Sequence, residues 1–484
     1  MSLFKKLFKQ TFIYGLATVL PRALSVLLVP LYVHVLKPEE YGIYSSLIAF
    51  LILGNVILSY GMETAFFRFI NKKDTDQQKV QSTTLTSLTI SSLLFLFFGL
   101  VFRNKIGAAL DFKTEYITYS IWILTLDALV VLPFVWFRAM EKPMRYAVIK
   151  IGNVSVNLAL NLFFLLWLPV LAKNNVFWEG LWNPENKVAY VFIANLIASL
   201  LTLIVLLPLY FRIRFYFDLP IWKEMIRYAI PVLIAGIAFS INEAFDKILL
   251  KYLLPKDIAE IQVGLYAACY KIGMFMTLFI TAFRLGIEPF FFNYSTAKNA
   301  KQTYAAITKY FSFFGSLILL AVIVYADIFK RILIPNSQYW EAMKIVPFIL
   351  TANLFLGIYH NLSVWYKLTD RTGFGAVISM IAALITLGLN FLLIPSIGYM
   401  GSAIATLAAY GSMMVLSYLY GRKYYDVPYD VKRIGLYVLL AIGLSCVSFY
   451  LFPGNIWLGT TLLLMFAGMM TYTEKEEFLK IIKK

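Results

Sequence analysis

The chain has 484 residues, of which 61% are hydrophobic and only 14% are charged. Soluble domains carry about 25% charged residues, so this composition excludes a soluble enzyme and points to an all-α polytopic membrane protein. The formal net charge of +17 does not imply nucleic acid as a partner, because no soluble basic module is present; the excess sits in loops suited to anionic lipid and the cytoplasm.

A membrane-spanning helix needs about 20 largely apolar residues, and the sequence predicts fourteen. No small-residue cleavage site follows the basic segment 1–10, so the first apolar run, 11–36, reads as a retained span. Spans 2 to 6 follow at 42–66, 83–102, 116–137, 147–171 and 188–211. The basic, aromatic stretch Arg212-Ile213-Arg214-Phe215-Tyr216-Phe217 reads as the start of a cytoplasmic linker over 212–224. Spans 7 to 12 lie at 225–250, 263–290, 304–326, 345–366, 373–395 and 398–420. Spans 13 and 14, at 434–452 and 455–473, are joined by the tight turn Pro453-Gly454-Asn455. The expected domains are an N-lobe (1–211), the linker (212–224), a C-lobe (225–425) and a C-terminal pair of spans with a cytoplasmic tail (426–484).

Charge counting orients this map. With the N-terminus inside, the inner segments hold 28 Lys and Arg residues and the outer loops 11, as the positive-inside rule requires. Both termini are then cytoplasmic. The remaining four of the 43 basic residues lie away from the span ends: Arg22 in span 1, Lys247 in span 7, and Lys271 and Arg284 in span 8. Each costs about 2.5–3.5 kcal/mol at a bilayer centre on insertion scales, so such residues face a hydrated cavity or a partner.

The two halves share a motif. Pro38-Glu39-Glu40 and Gly42-Ile43-Tyr44 open span 2; Pro255-Lys256-Asp257 and Gly264-Leu265-Tyr266 open span 8, with about five extra residues between them. Six spans separate the copies, an even number, so the repeats are parallel and related by an axis along the membrane normal. Spans 13 and 14 fall outside the repeat.

Other polar residues within spans have two readings each. Glu243 and Lys247 are four apart and could neutralise each other, as could Arg284 and Glu288. Asp246 is a candidate proton or sodium site. Glu63, deep in span 2, is a candidate partner for Arg22; Arg68, nearer the interface, suits snorkelling or a role at the inner portal. Asp127 is the one acid in the middle of span 4 and reads as an interhelical lock or a coupling residue. Asn153, Asn157 and Asn161 repeat on one face of span 5, a ladder of the kind that joins helices. The two cysteines, Cys269 and Cys446, and the two histidines, His34 and His360, have no metal-ligand spacing.

The chain resembles the polysaccharide-exporter branch of the MOP superfamily, the O-antigen (Wzx-type) flippases and their capsule and teichuronic-acid relatives. The resemblance rests on the arrangement of six, six and two spans, on Tyr60-Gly61-Met62-Glu63-Thr64-Ala65-Phe66-Phe67-Arg68, on Arg138-Ala139-Met140-Glu141-Lys142, and on Asn242-Glu243-Ala244-Phe245-Asp246-Lys247. It implies two six-helix lobes with spans 1, 2, 7 and 8 lining a central cleft. It also implies movement of an undecaprenyl-diphosphate-linked glycan to the outer leaflet of the bacterial cytoplasmic membrane. No cofactor is implied, but some members couple to an ion gradient, with protons or sodium as candidates. The expected partners are that glycan, membrane lipids and polysaccharide polymerase and assembly proteins, around a monomeric transporter. A diphosphate needs fixed cations; Arg22, Lys247, Lys271 and Arg284 all fall on spans that the resemblance places at the cleft. Two alternatives remain: a lipid II flippase, and a MATE-type cation antiporter, whose usual span 1 acid is replaced here by Arg22.

Overall fold

The computed structural model describes residues 15–475 apart from 16, 18, 22, 73, 74, 214, 295, 296 and 298. Among the described residues, thirteen helices are long and apolar enough to cross a membrane, from Pro38–Ile70 to Ile456–Thr473. They correspond one to one with spans 2 to 14. Span 1 falls partly outside the described residues and is represented by a shorter apolar helix, Val19–Val35. The count among described residues is therefore thirteen rather than fourteen.

The helices run further than the apolar windows suggest. Span 3, expected over 83–102, occupies Gln77–Leu110, and span 7, expected over 225–250, occupies Leu219–Leu253. The reason is capping. Asp76 accepts the Gln78 and Lys79 amides, and Asp218 accepts the Ile221 amide, which satisfies amides that a first helical turn otherwise leaves unpaired. Pro38 starts span 2 at a position that needs no amide donor, while Glu40 accepts the Lys37 amide at 2.8 Å. Charged residues near these ends therefore belong to helices, although a hydropathy window trims them away.

In chain order the principal helices are α1 (Leu28–Val35), α2 (Pro38–Ser59), α3 (Met62–Ile70), α4 (Gln77–Leu110), α5 (Thr114–Ala139), α6 (Pro143–Leu162) and α7 (Lys187–Tyr210). There follow α8 (Leu219–Leu253), α9 (Lys256–Tyr270), α10 (Met274–Asn293), α11 (Ala300–Val324) and α12 (Val346–Leu362). The last four are α13 (Gly373–Ile397), α14 (Tyr399–Tyr424), α15 (Val431–Cys446) and α16 (Ile456–Thr473). Two compact units result, Met1–Gly264 and Leu265–Lys484. Their boundary falls inside α9, because α8 packs along α2 and α3 in the first unit.

Span 2 is broken. Tyr60 and Gly61 both have positive φ, 34° and 73°, so α2 ends and α3 restarts in a new direction. Glycine is required at the second position: a Cβ there would lie 2.5 Å from the Ala229 carbonyl oxygen of α8. The Tyr60 hydroxyl, hydrogen-bonded with Ser87 at 2.7 Å, pins the less favourable first position. Met62, Ala65, Phe66 and Phe69 of α3 then pack on Met225 and Ala229 of α8.

The repeated glycines meet within the first unit. A Cβ on Gly42 would sit 1.8 Å from the Glu260 carbonyl oxygen, and one on Gly264 would sit 1.9 Å from the Pro38 carbonyl oxygen. Each glycine thus faces the carbonyl four residues before the other, the reciprocity of a two-fold contact. Around it, Lys251 is buried against Glu260 at 2.8 Å, donates to the Asp111 carbonyl oxygen at 3.2 Å and lies over the Phe112 ring. Lys256 pairs with Asp111 at 2.9 Å and, through that hydrogen bond first, holds its carboxyl below the usual carboxylate range. The exposed pair's small contribution is complete above the ordinary carboxylate pKa of about 4 and is lost as pH falls through the lower folded value.

In the second unit, α15 and α16 are fastened to α11 through Glu474, the residue that caps α16. Its carboxylate is 1% exposed. It receives Lys309 of α11 at 2.6 Å, Arg433 of α15 at 3.2 Å and the Tyr437 hydroxyl.

Candidate functional site

The sequence-predicted residues are distributed over several helices. Arg22 lies outside the described residues. Lys247 is ion-paired at 2.9 Å with its own neighbour Asp246, which is buried, while Glu243 on the same helix is exposed. Lys271 opens a 3-10 turn, Lys271–Gly273, that interrupts span 8 between α9 and α10. The Gly273 carbonyl accepts the Asn353 side-chain amide at 3.1 Å, which anchors the interruption to α12. A 3-10 stretch within a long helix often marks a hinge, and this one places a cation at it. No sequence signal beyond Gly273 itself announced the break.

Arg284 lines a small pocket in the second unit with His360, Lys367, Asn361 and Phe283, and no carboxylate is among the described lining residues. The Glu288 side chain, its expected partner, lies outside the described residues. Arg68 is exposed and stacks over the Tyr228 ring at 4.3 Å, which holds the α3 end against α8 and matches its interfacial character.

The structure brings Glu63 and Asp127 together. Both line a cavity of about 430 Å³ that lies wholly within the first unit, among α2, α3, α5, α6 and α7. The break at Tyr60 and Gly61 aims α3 so that Glu63 meets Arg138 at 2.7 Å. Asp127 accepts from Ser199 of α7 at 2.9 Å, a bond between helices. Lys150 lines the same cavity and lies over the Phe134 ring at 4.5 Å. Asn153 donates to Thr202 of α7 at 2.9 Å, and Asn161 accepts from Tyr32 of α1 at 3.0 Å. The asparagine ladder therefore joins helices, as its spacing suggested.

Arg138 fell just past the span 4 window and Lys150 near the start of span 5; both sit on helices and face the cavity. The available signal was Lys150 three residues before Asn153, which puts the two on one helical face. Arg138 carried no comparable signal.

The family described as polysaccharide biosynthesis protein matches over residues 7–295. The chain belongs to that family. No curated protein matches the chain as a whole or in part. Among solved structures, this polysaccharide biosynthesis protein is similar to the lipid II flippase MurJ in an inward closed conformation. The TM-score is 0.69 at 16% identity, covering 96% of this chain and 99% of that one. It is also similar to an inward-facing multidrug resistance MATE family transporter of the MOP superfamily, with TM-score 0.63 at 14% identity, covering 88% and 95%. A MATE structure in the straight conformation gives TM-score 0.56 at 14% identity, covering 90% and 96%. At such identities the likeness is one of fold. Family and fold together make the chain a multi-pass member of the polysaccharide biosynthesis family, with a fold like those of MurJ and the MATE transporters.

Proposed function

We propose that this transporter is a flippase for an undecaprenyl-diphosphate-linked oligosaccharide. It carries an O-antigen, capsule or related repeat unit from the inner to the outer leaflet of the bacterial cytoplasmic membrane by alternating access. The observation that carries this reading is a family match to polysaccharide biosynthesis in a chain that keeps cations within spans 1, 7 and 8. The diphosphate is the part of such a substrate that loses most on leaving water, and fixed cations offset that loss. Arg22 and Lys271 are the principal diphosphate ligands in this reading. Lys247, beside Asp246, and Arg284, in a small pocket with no carboxylate among its described lining residues, are further cation candidates.

Replacing Arg22 and Lys271 together with Ala abolishes surface polysaccharide while the protein remains in the membrane. Immunoblotting of membranes alongside polysaccharide gels measures both, and normal polysaccharide from the double variant overturns the reading. Arg22→Lys keeps part of the activity, because charge is retained while the planar fork is lost. In the proposed orientation both termini are cytoplasmic. A reporter fused after Pro453 therefore reads periplasmic, and a cytoplasmic signal there reverses the topology.

The fold likeness to the lipid II flippase supports a second reading, transport of lipid II. Depletion distinguishes the two: loss of surface polysaccharide with intact growth supports the first, whereas lysis with accumulated cell-wall precursor supports the second.

A further inference from the structure

The cavity inside the first unit is chemically unlike the sites offered above for the diphosphate. About 430 Å³ falls in the range of pockets that hold small organic ligands. Its four charged side chains are balanced, two acids and two bases: Glu63, Asp127, Arg138 and Lys150. Glu63 and Arg138 are paired. An entering anion meets two carboxylates, and an entering cation meets a guanidinium and an ammonium, so neither gains net attraction.

A neutral ligand rich in hydroxyl groups gains from both signs. Its hydroxyls donate to carboxylate oxygens and accept from Lys150 and Arg138. Asn55, Asn195 and Ser59 add further amide and hydroxyl groups to the wall. Phe134 and Tyr146, edge to face at 5.5 Å, supply an apolar flank suited to the C–H face of a pyranose ring.

We propose that this cavity is a docking site for a sugar ring of the transported glycan. The proposal rests on the flippase reading and deepens it. The glycan and the diphosphate are held by different parts of the chain, so the cavity selects the sugar while the cations of spans 1, 7 and 8 hold the phosphates. Asp127, fixed by Ser199, and Asn153, fixed by Thr202, are the specificity-determining residues.

The test uses the purified full-length chain in nanodiscs and two probes. One is undecaprenyl diphosphate; the other is the lipid-linked oligosaccharide extracted from source cells depleted of the protein. In a Cys446→Ser background, Ser59→Cys places an isosteric thiol in the cavity wall, while Cys269 stays buried. The sugar-bearing lipid slows labelling of that thiol by a water-soluble methanethiosulfonate, and the sugar-free lipid does not. Asp127→Asn and Asn153→Ala each weaken binding of the sugar-bearing lipid by about tenfold, the worth of one to two hydrogen bonds, and leave binding of undecaprenyl diphosphate unchanged. Thr202→Val, which removes the cavity-wall hydroxyl that accepts from Asn153, weakens it in the same direction. Size-exclusion profiles matching the parent exclude misfolding.

Equal protection by the two lipids overturns the docking site, as does absence of protection by a sugar-bearing lipid that binds. Equal weakening of both lipids by the variants overturns it as well. If neither lipid binds the parent chain, the flippase reading itself falls and the sugar site falls with it.

Discussion

Glu474→Ala is expected to lower the stability of the protein by about 3–5 kcal/mol, the cost of stranding a buried charge. The carboxylate is buried at the end of α16 and is shared by Lys309, Arg433 and Tyr437. Lys309, on α11, is itself 7% exposed and sits against Glu474 at 2.6 Å. Removing the acid leaves that ammonium out of water with its closest counter-charge gone. Arg433 suffers less, because it is 40% exposed and retains Asp430 at 3.2 Å. Thermal unfolding of the detergent-solubilised chain, followed by size-exclusion chromatography, measures the loss. Glu474→Gln falls between parent and Ala because it keeps an acceptor for Tyr437. The double change Lys309→Met with Glu474→Leu costs much less than Glu474→Ala alone, since removing both charges leaves none stranded. An unchanged unfolding temperature in Glu474→Ala would show that α15 and α16 are held by apolar packing alone.

Gly42→Val is the second large effect, a loss of about 1–3 kcal/mol or more from overpacking. The new side chain meets backbone rather than a flexible side-chain tip: its Cβ would fall 1.8 Å from the Glu260 carbonyl oxygen. No rotamer relieves that contact, so α2 and α9 must separate. Separation also strains the Lys251–Glu260 pair beside it. Gly264→Val has a closely similar effect, because its Cβ would fall 1.9 Å from the Pro38 carbonyl oxygen. Gly286→Ala is the control, with nothing within 4 Å of the added carbon. Losses in both Gly42→Val and Gly264→Val that match the control would mean the two helices do not meet there.

The spans were legible because a bilayer imposes a length and a polarity on any helix that crosses it. Their ends were not, because capping by Asp76 and Asp218 extends helices past the first charged residue. Nor did position within a span show what Lys150 and Lys309 meet: one lines a cavity and the other is sealed against Glu474. Glu63 was recognised as an acid in need of a partner; that the partner is Arg138 depends on a backbone break that turns α3. The break is written in Tyr60-Gly61, but a glycine within a hydrophobic run does not by itself specify a change of direction.

By itself, the sequence determined the class of molecule, the placement of thirteen of its spans and the energetic oddity of cations in apolar helices. These follow from composition, periodicity and local spacing, which need no knowledge of neighbours. Only the tertiary structure decided which polar residues meet. It paired Glu63 with Arg138, tied Asp127 to Ser199 and formed a charge-balanced cavity between helices distant in sequence. It also set the repeated Gly42 and Gly264 face to face. The physical reason is that helix spacing fixes what lies along one face, whereas the partner across an interface depends on crossing, kink and register, and these arise only when the helices pack.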